Sequence, residues 1–334
     1  MPLLLTRRDV EQVLTIEDAI AAVEAGFVQL ARGAVTMPQR SAIKIPGEGG
    51  LHLTMPALVS GGEAAAEAAG AALAVKVVTV FPGNPSRFGL PTTIGTLLLN
   101  DPRSGQLLAI MDAGYLTAMR TGAASGVATR HLAPATARTV GIFGAGVQAR
   151  AQLLAVCAVR SIAHILVCDP QHETRDRFAA EMAARLLIAV QPTEEASVCA
   201  ASDIVITASS SKTPVFDGSR LRPGTHINCV GSHSPDAREL DSETVRRSRI
   251  VCDQIAARLA EDGDFMLPIR EGVVGESHFQ LSLGEVVAGL QPGRRSPEEI
   301  TLFKSGGLAV QDAVTAAKVY ERARAAGVGT EVEI

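Results

Sequence analysis

The segment Thr139-Val140-Gly141-Ile142-Phe143-Gly144-Ala145-Gly146-Val147-Gln148-Ala149 constrains this chain more than any other. An apolar, β-type stretch from Thr139 to Phe143 runs into Gly144-x-Gly146-x-x-Ala149. A helix-compatible segment from Val147 to Val159 follows, and a second apolar strand, His164 to Cys168, ends at Asp169. A glycine turn alone is common, but strand, turn, helix, strand and terminal acid in this order describe a dinucleotide-binding βαβ unit. Gly144 permits the tight turn, Gly146 lets the backbone approach a pyrophosphate, and Ala149 lets the helix pack on the strand. The free N–H groups and positive dipole end of the helix then meet the phosphates. Asp169 is expected to accept hydrogen bonds from the adenosine ribose. No Arg or Lys directly follows it, and a carboxylate there repels a 2′-phosphate. The reading favours NAD(H), with NADP(H) as the alternative.

The α/β rhythm continues beyond Asp169. Helical composition over Glu173–Leu186 precedes a short strand at Leu187–Val190. Helix is expected again over Glu194–Ala201, and strands over Asp203–Ala208, Thr225–Val230 and Arg249–Asp253. Short apolar strands alternating with helices predict a Rossmann-type, doubly wound parallel sheet with ligands at the carboxyl ends of its strands. Ala208, Ser209, Val230 and Gly231 stand at such ends. They join Gly144, Ala145, Gly146, Val147 and Gln148 as expected cofactor-facing residues.

Residues 1 to about 120 lack this rhythm. Thr15–Arg32 reads as an amphipathic helix, followed by strand-like pieces at Ser41–Ile45, Leu51–Thr54, Ala72–Val80, Thr93–Asn100 and Gln106–Met111. Asp101-Pro102-Arg103-Ser104-Gly105 is a turn cluster, so Thr93–Met111 is expected to be a hairpin. Glu63–Ala72 is alanine-rich and reads as helix or turn. Asp112 can cap a helix from Ala113 to His131, and a C-terminal helix, roughly Gly307–Ala326, is expected to end the chain's regular structure and return to the first domain. The expected division is a β-rich α+β substrate domain over residues 1–120, with 307–334 returning to it, and a dinucleotide domain over 121–306.

Composition narrows the function classes. The chain has 334 residues and a net charge of only −4, with no basic block of the kind that marks nucleic-acid or anionic-membrane partners. The apolar run at Leu3–Leu5 is too short for a signal peptide, and Ala64–Val80 is interrupted by Glu67 and Lys76. The five cysteines form no CxxC and fall mostly in apolar strands or helices, which suits a reduced, cytoplasmic protein. No His/Cys/Asp cluster has metal-ligand spacing, and no metal is expected.

Lys76 interrupts the apolar strand Ala74–Val80, pointing either to solvent or into a cleft. Arg120 lies among small residues, Thr121-Gly122-Ala123-Ala124-Ser125-Gly126, that allow close backbone packing. Arginine and lysine together suit a carboxylate: the fork binds two oxygens and the ammonium adds a point charge. Arg40, after Met37-Pro38-Gln39, says little by itself. His233, in Gly231-Ser232-His233-Ser234-Pro235, sits in a loop expected at the carboxyl edge of the sheet. It either moves a proton there or only bonds to backbone.

Taken together, these residues resemble the ornithine cyclodeaminase/μ-crystallin family over essentially the whole chain. The likeness is carried by Lys76 with Phe81-Pro82-Gly83-Asn84, by Leu116–Ala123 around Arg120, by Gly144–Ala149, by Gly231–Leu240, and by Thr301-Leu302-Phe303-Lys304-Ser305-Gly306-Gly307. The resemblance implies a homodimer with a nicotinamide domain and a substrate/dimerisation domain. It implies that Arg40, Lys76 and Arg120 hold a substrate carboxylate, and that Thr121, Gln148 and Ser305 contact the dinucleotide. Lys76 and His233 are the candidates for a part in the chemistry itself. Cyclodeaminases of the family carry a catalytic Asp in the loop where this chain has His233, and a lysine where it has Ala237. They also carry a glutamate just before a Met-Pro that here reads Leu51-His52-Leu53-Thr54-Met55-Pro56. Two carboxylates that suit a cationic diamino acid are therefore missing. The resemblance thus implies an NAD(P)H-dependent reductase of a cyclic imino acid, such as Δ1-pyrroline-2-carboxylate or Δ1-piperideine-2-carboxylate, or a related amino-acid dehydrogenase. The alternatives are an ornithine or lysine cyclodeaminase that recycles its NAD, and a non-catalytic small-molecule binder.

Overall fold

The computed structural model describes residues 1–60, 70–232 and 234–333. Residues 63–69, most of the alanine-rich stretch Glu63–Ala72 read as helix or turn, lie outside the described residues, as does His233. The chain forms two compact units, one of Met1–Arg120 with Leu308–Ile334 and one of Thr121–Gly307.

The first unit is built on a mixed sheet. Its strands are β1 (Leu3–Leu5), β2 (Val35–Thr36), β3 (Ser41–Ile45), β4 (Gly50–Val59), β5 (Ala72–Val80), β6 (Thr93–Asn100) and β7 (Leu107–Asp112). The C-terminal strand Thr330–Glu331 lies at one edge, beside β1, and the order then runs β7, β6, β5, β4, β2, with β3 also on β4. This corrects the expectation that nothing regular follows the last helix: Leu3 and Leu4 pair antiparallel with Glu331 and Thr330. The β6–β7 hairpin forms as expected. Strand β4 runs through Pro56, well beyond the expected Thr54. On one side β3 pairs with residues 50–54 and β2 with residues 58–59. On that side Pro56 thus falls in the gap between them, while on the other it stands opposite Val75 of β5.

The helix Ile16–Ala31 is capped by Thr15, whose side chain accepts from the Asp18 amide, and it packs on the C-terminal helix Ala309–Ala326. Gly26 makes that approach close: a Cβ there would lie 3.1 Å from a Val314 methyl. The C-terminal helix also packs on β4 and β5. Strand β5 alternates, with Ala72, Ala74, Lys76 and Val78 buried on one face.

The second unit carries β8 (Thr139–Phe143), β9 (His164–Cys168), β10 (Ala189–Pro192), β11 (Ile204–Thr207), β12 (His226–Cys229), β13 (Ser248–Cys252), β14 (Leu281–Ser282) and β15 (Ile300–Lys304). Their order is β10-β9-β8-β11-β12-β15-β13-β14, and every pairing is parallel. The order reverses direction between β8 and β11, as a doubly wound sheet requires. Alternation along β11 sends Ile204 and Ile206 into the core with Leu153, Phe178 and Met182, and Val205 into a second core with Phe265 and Leu302. Both faces of β11 are covered, so Ile204-Val205-Ile206 is apolar on both. Leu187, expected to open β10, instead ends the helix His172–Leu186 in a left-handed conformation with φ 56°. Among the described residues, no helix is long and apolar enough to cross a membrane.

Candidate functional site

In the second unit the sheet's turning point brings two strand ends together. Gly144 has φ 102°, and a Cβ on it would lie 2.5 Å from the Ala208 carbonyl oxygen, so only glycine fits between β8 and the end of β11. Gly146 caps the helix Val147–Val159 with no side-chain partner, and a Cβ there would meet nothing within 4 Å. Among the described residues the first amides of that helix therefore have no capping side chain, and the space beside Gly146 is open. Asp169 follows β9 and lies beside the turn: its Oδ2 accepts from the Ala145 amide at 3.0 Å, and its Oδ1 from the Gln171 amide at 2.8 Å. Val147 is exposed, whereas Gln148 Oε1 is buried without a hydrogen-bond partner among the described residues.

A buried carboxylate that sequence reasoning did not single out braces the next two strand ends. Glu239 Oε1 accepts from the Ser209 amide and hydroxyl, both at 2.7 Å, while Oε2 accepts from the Gly231 amide at 2.7 Å and the Thr207 hydroxyl at 2.9 Å. Burial, and Asp264 close by, push the Glu239 carboxyl up from its ordinary range. A Cβ on Gly231 would overlap the Ser209 carbonyl and Glu239, so this glycine is needed for close approach. Val230 is buried, with its amide bonded to the Thr207 carbonyl at 2.9 Å. Lys304, at the end of β15, donates to Asp264 at 2.7 Å and to the Ser232 carbonyl at 3.0 Å, which ties down the residue before His233. Ser305 is buried, with its amide on the Cys229 carbonyl at 3.1 Å and its hydroxyl toward Asp253 at 3.4 Å. Thr121 is buried, and its carbonyl accepts from Gln152 at 3.3 Å. Helix amides without a cap, an open glycine turn, an acid at the second strand's end and an orphaned glutamine oxygen fit a dinucleotide.

The first unit buries the cations. Lys76 points away from solvent, with its side chain 1% exposed, and the Arg120 side chain is 7% exposed. Both meet Asp312, in the first turns of the helix Ala309–Ala326. Lys76 Nζ lies 2.9 Å from Oδ1 and 2.8 Å from Oδ2, and Arg120 Nε donates to Oδ1 at 2.9 Å. Arg120 Nη1 donates to Gln311 Oε1 at 2.9 Å. Burial pushes the Lys76 ammonium down to about 8; Asp312 opposes this, while Arg120 and Arg40 add to it. Arg40, half-buried just before β3, is thus close enough to act on Lys76. Asp312 and Gln311 had no distinguishing signal in the sequence, since an acid in a helix's first turn reads as a dipole partner. Among the described residues no group of three His, Cys, Asp or Glu side chains could hold a metal ion.

The architecture is that of a Rossmann-type protein with a second, β-rich unit that buries a lysine–arginine pair around one carboxylate. The chain belongs to the ornithine cyclodeaminase/mu-crystallin family, whose model matches residues 1–327. It is similar to the Δ(1)-pyrroline-2-carboxylate reductase of Thermococcus litoralis, solved with NADH and L-proline: 46% identity, TM-score 0.93, covering 99% of this chain and 100% of that one. An archaeal alanine dehydrogenase dimer with bound NAD matches at 34% identity and TM-score 0.91, over 100% of this chain and 99% of that one. The Δ(1)-pyrroline-2-carboxylate reductase of Bacillus cereus is 35% identical over 99% of both chains.

Proposed function

We propose that this protein is an NAD(H)-dependent reductase of a cyclic imino acid, converting Δ1-pyrroline-2-carboxylate to proline or its six-membered homologue to pipecolate. The observation that carries the reading is the buried Lys76–Arg120 pair, in a chain whose other unit has the dinucleotide fold. The reductase activity of the Thermococcus and Bacillus relatives supports it.

A nicotinamide dinucleotide, when bound, supplies the hydride that reduces the C=N carbon. Gly144, Ala145, Gly146, Val147 and Gln148 would hold its pyrophosphate, Asp169 its ribose, and Ala208, Ser209, Val230, Gly231, Thr121 and Ser305 its remaining contacts. Asp169 leaves NAD(H) favoured over NADP(H). Arg120, Lys76 and Arg40 grip the substrate carboxylate, which orients the adjacent imine carbon by a few charge-assisted contacts. Lys76 stays protonated at neutral pH and serves as the clamp's point charge. His233, which stands where cyclodeaminases carry their catalytic Asp, takes part in keeping the imine nitrogen protonated.

The related reading, an amino-acid dehydrogenase, rests on the alanine dehydrogenase relative and uses the same carboxylate contacts. That relative's dimer supports a homodimer here, and the five cysteines without a CxxC suit the cytoplasm. The test is turnover of pyrroline- and piperideine-2-carboxylate with NADH and NADPH separately. Consumption of NADH with either imino acid is expected; a protein that turns over neither, with either cofactor, would refute the assignment.

A further inference from the structure

Two cations buried within reach of each other repel, and each loses solvation. Lys76 and Arg120 are in that position, and what lies between them is a single carboxylate on the C-terminal helix. Asp312 Oδ1 accepts from Lys76 Nζ and from Arg120 Nε, each at 2.9 Å, and Oδ2 is 2.8 Å from Lys76. The neighbouring Gln311 takes Arg120 Nη1 at 2.9 Å and anchors its own side-chain oxygen on the Leu308 amide at 3.2 Å. One turn of helix thus fixes the guanidinium at two nitrogens, Nε and Nη1, while Nη2 takes no part in either bond. Gln311 Nε2 is buried with no hydrogen-bond partner among the described residues.

We propose that Asp312 is a positioning residue of the carboxylate clamp: it shares its carboxylate between Lys76 and Arg120, keeping both charged and aimed so that an incoming carboxylate meets a two-point site. This rests on the reading that Lys76 and Arg120 receive the substrate. Lys76 and Arg120 share this one carboxylate, so two cations meet a single negative charge. A substrate carboxylate supplies the missing negative charge without having to displace Asp312. The charged groups acting on Lys76 are Asp312 from the C-terminal helix, Arg120 from the helix Ala113–Leu132, and Arg40 from the segment before β3. Of these three, Asp312 favours the ammonium. Without it, burial and two arginines all act to strip the proton, and the clamp falls to its guanidinium alone.

Five lysines make the chain suitable for direct titration by NMR with lysine labelled at Cε. Loss of one signal in Lys76→Met assigns Lys76. The wild type is expected to titrate Lys76 near pH 8. Asp312→Asn should lower that midpoint by about one unit or more, while Asp312→Glu, which restores the charge, should return it to within about half a unit. In parallel, Asp312→Asn should raise KM for the imino acid about tenfold at neutral pH, with less effect at lower pH and NADH affinity unchanged. A Lys76 midpoint that does not move in Asp312→Asn would overturn the proposal. So would tighter substrate binding in that variant, which would make Asp312 a competitor for the clamp. The titration needs no substrate, so failure of the protein to reduce any imino acid would count against the proposed reaction and leave the Asp312 result standing.

Discussion

Asp169 Oδ2 accepts a hydrogen bond from the Ala145 amide at 3.0 Å, so the acid that ends β9 is bonded to the glycine turn that follows β8. One carboxylate therefore holds the turn and, in the proposed assignment, receives the adenosine ribose. Asp169→Ala is expected to weaken NADH binding by about 1.5–3 kcal/mol, the worth of a hydrogen bond to a charged group. NADPH binding should fall far less, because the same change removes a repulsion toward the 2′-phosphate. Fluorescence titration with each cofactor checks this; tighter binding of NADPH than NADH by the native protein would be the wrong outcome.

Lys76 gives the enzyme an alkaline limit. Its folded-state value of about 8 lies below the ordinary 10.5, so the ammonium is present below about 8 and lost as pH rises through it. Substrate KM should accordingly climb above that pH, while cofactor affinity stays level. Stability has the opposite slope. A depressed group contributes stability above its unfolded value, and this is lost as pH falls from 10.5 toward 8. Wild type should gain stability relative to Lys76→Met across that window. Denaturant titrations at both ends measure it, and a flat difference would contradict the burial argument.

Glu239→Gln tests the brace beneath β11 and β12. Either oxygen replaced by an amide nitrogen would confront a backbone donor, Ser209 on one side or Gly231 on the other. Leaving such a buried donor unsatisfied costs about 1–3 kcal/mol. The variant should unfold at lower denaturant and bind NADH less tightly, with no change in the Lys76 titration. Native stability in this variant would remove Glu239 from the account.

Gly231→Ala should be at least as damaging, since the new methyl overlaps the Ser209 carbonyl and the Glu239 side chain. Overpacking of this kind costs about 1–3 kcal/mol, and here it also moves residues assigned to the cofactor. Thermal unfolding with and without NADH should show both a lower midpoint and a smaller shift on cofactor addition. An unchanged shift would mean that Gly231 does not line the cofactor site.

The parts of this architecture that were legible in the sequence are those with local causes. The β8 turn announces itself because Gly144 and Gly146 answer backbone requirements within a few residues. The strands β9 and β11 read clearly because each is a short run of Ile, Leu and Val, and β12 reads as a strand in spite of the buried His226 and Asn228 within it. What stayed hidden depends on distant partners. Asp312 meets Lys76 across 236 positions of chain, and nothing near it distinguishes it from a helix-dipole acid. Lys76 itself was ambiguous for the same reason, since its burial depends on Asp312. Leu187 misled because a continuous apolar run, Leu186-Leu187-Ile188, hides a helix end that lacks the usual glycine. The strand Thr330–Glu331 is too short to carry a pattern and exists only because β1 offers an edge.

Isotope transfer is the most direct test of the central claim. NADH carrying deuterium at the transferred position of nicotinamide C4 should deliver one deuterium to the α-carbon of proline formed from Δ1-pyrroline-2-carboxylate, with one cofactor oxidised per product. Proline formed from ornithine with release of ammonia, no net oxidation of cofactor and no deuterium from added NADH would contradict it and make the protein a cyclodeaminase.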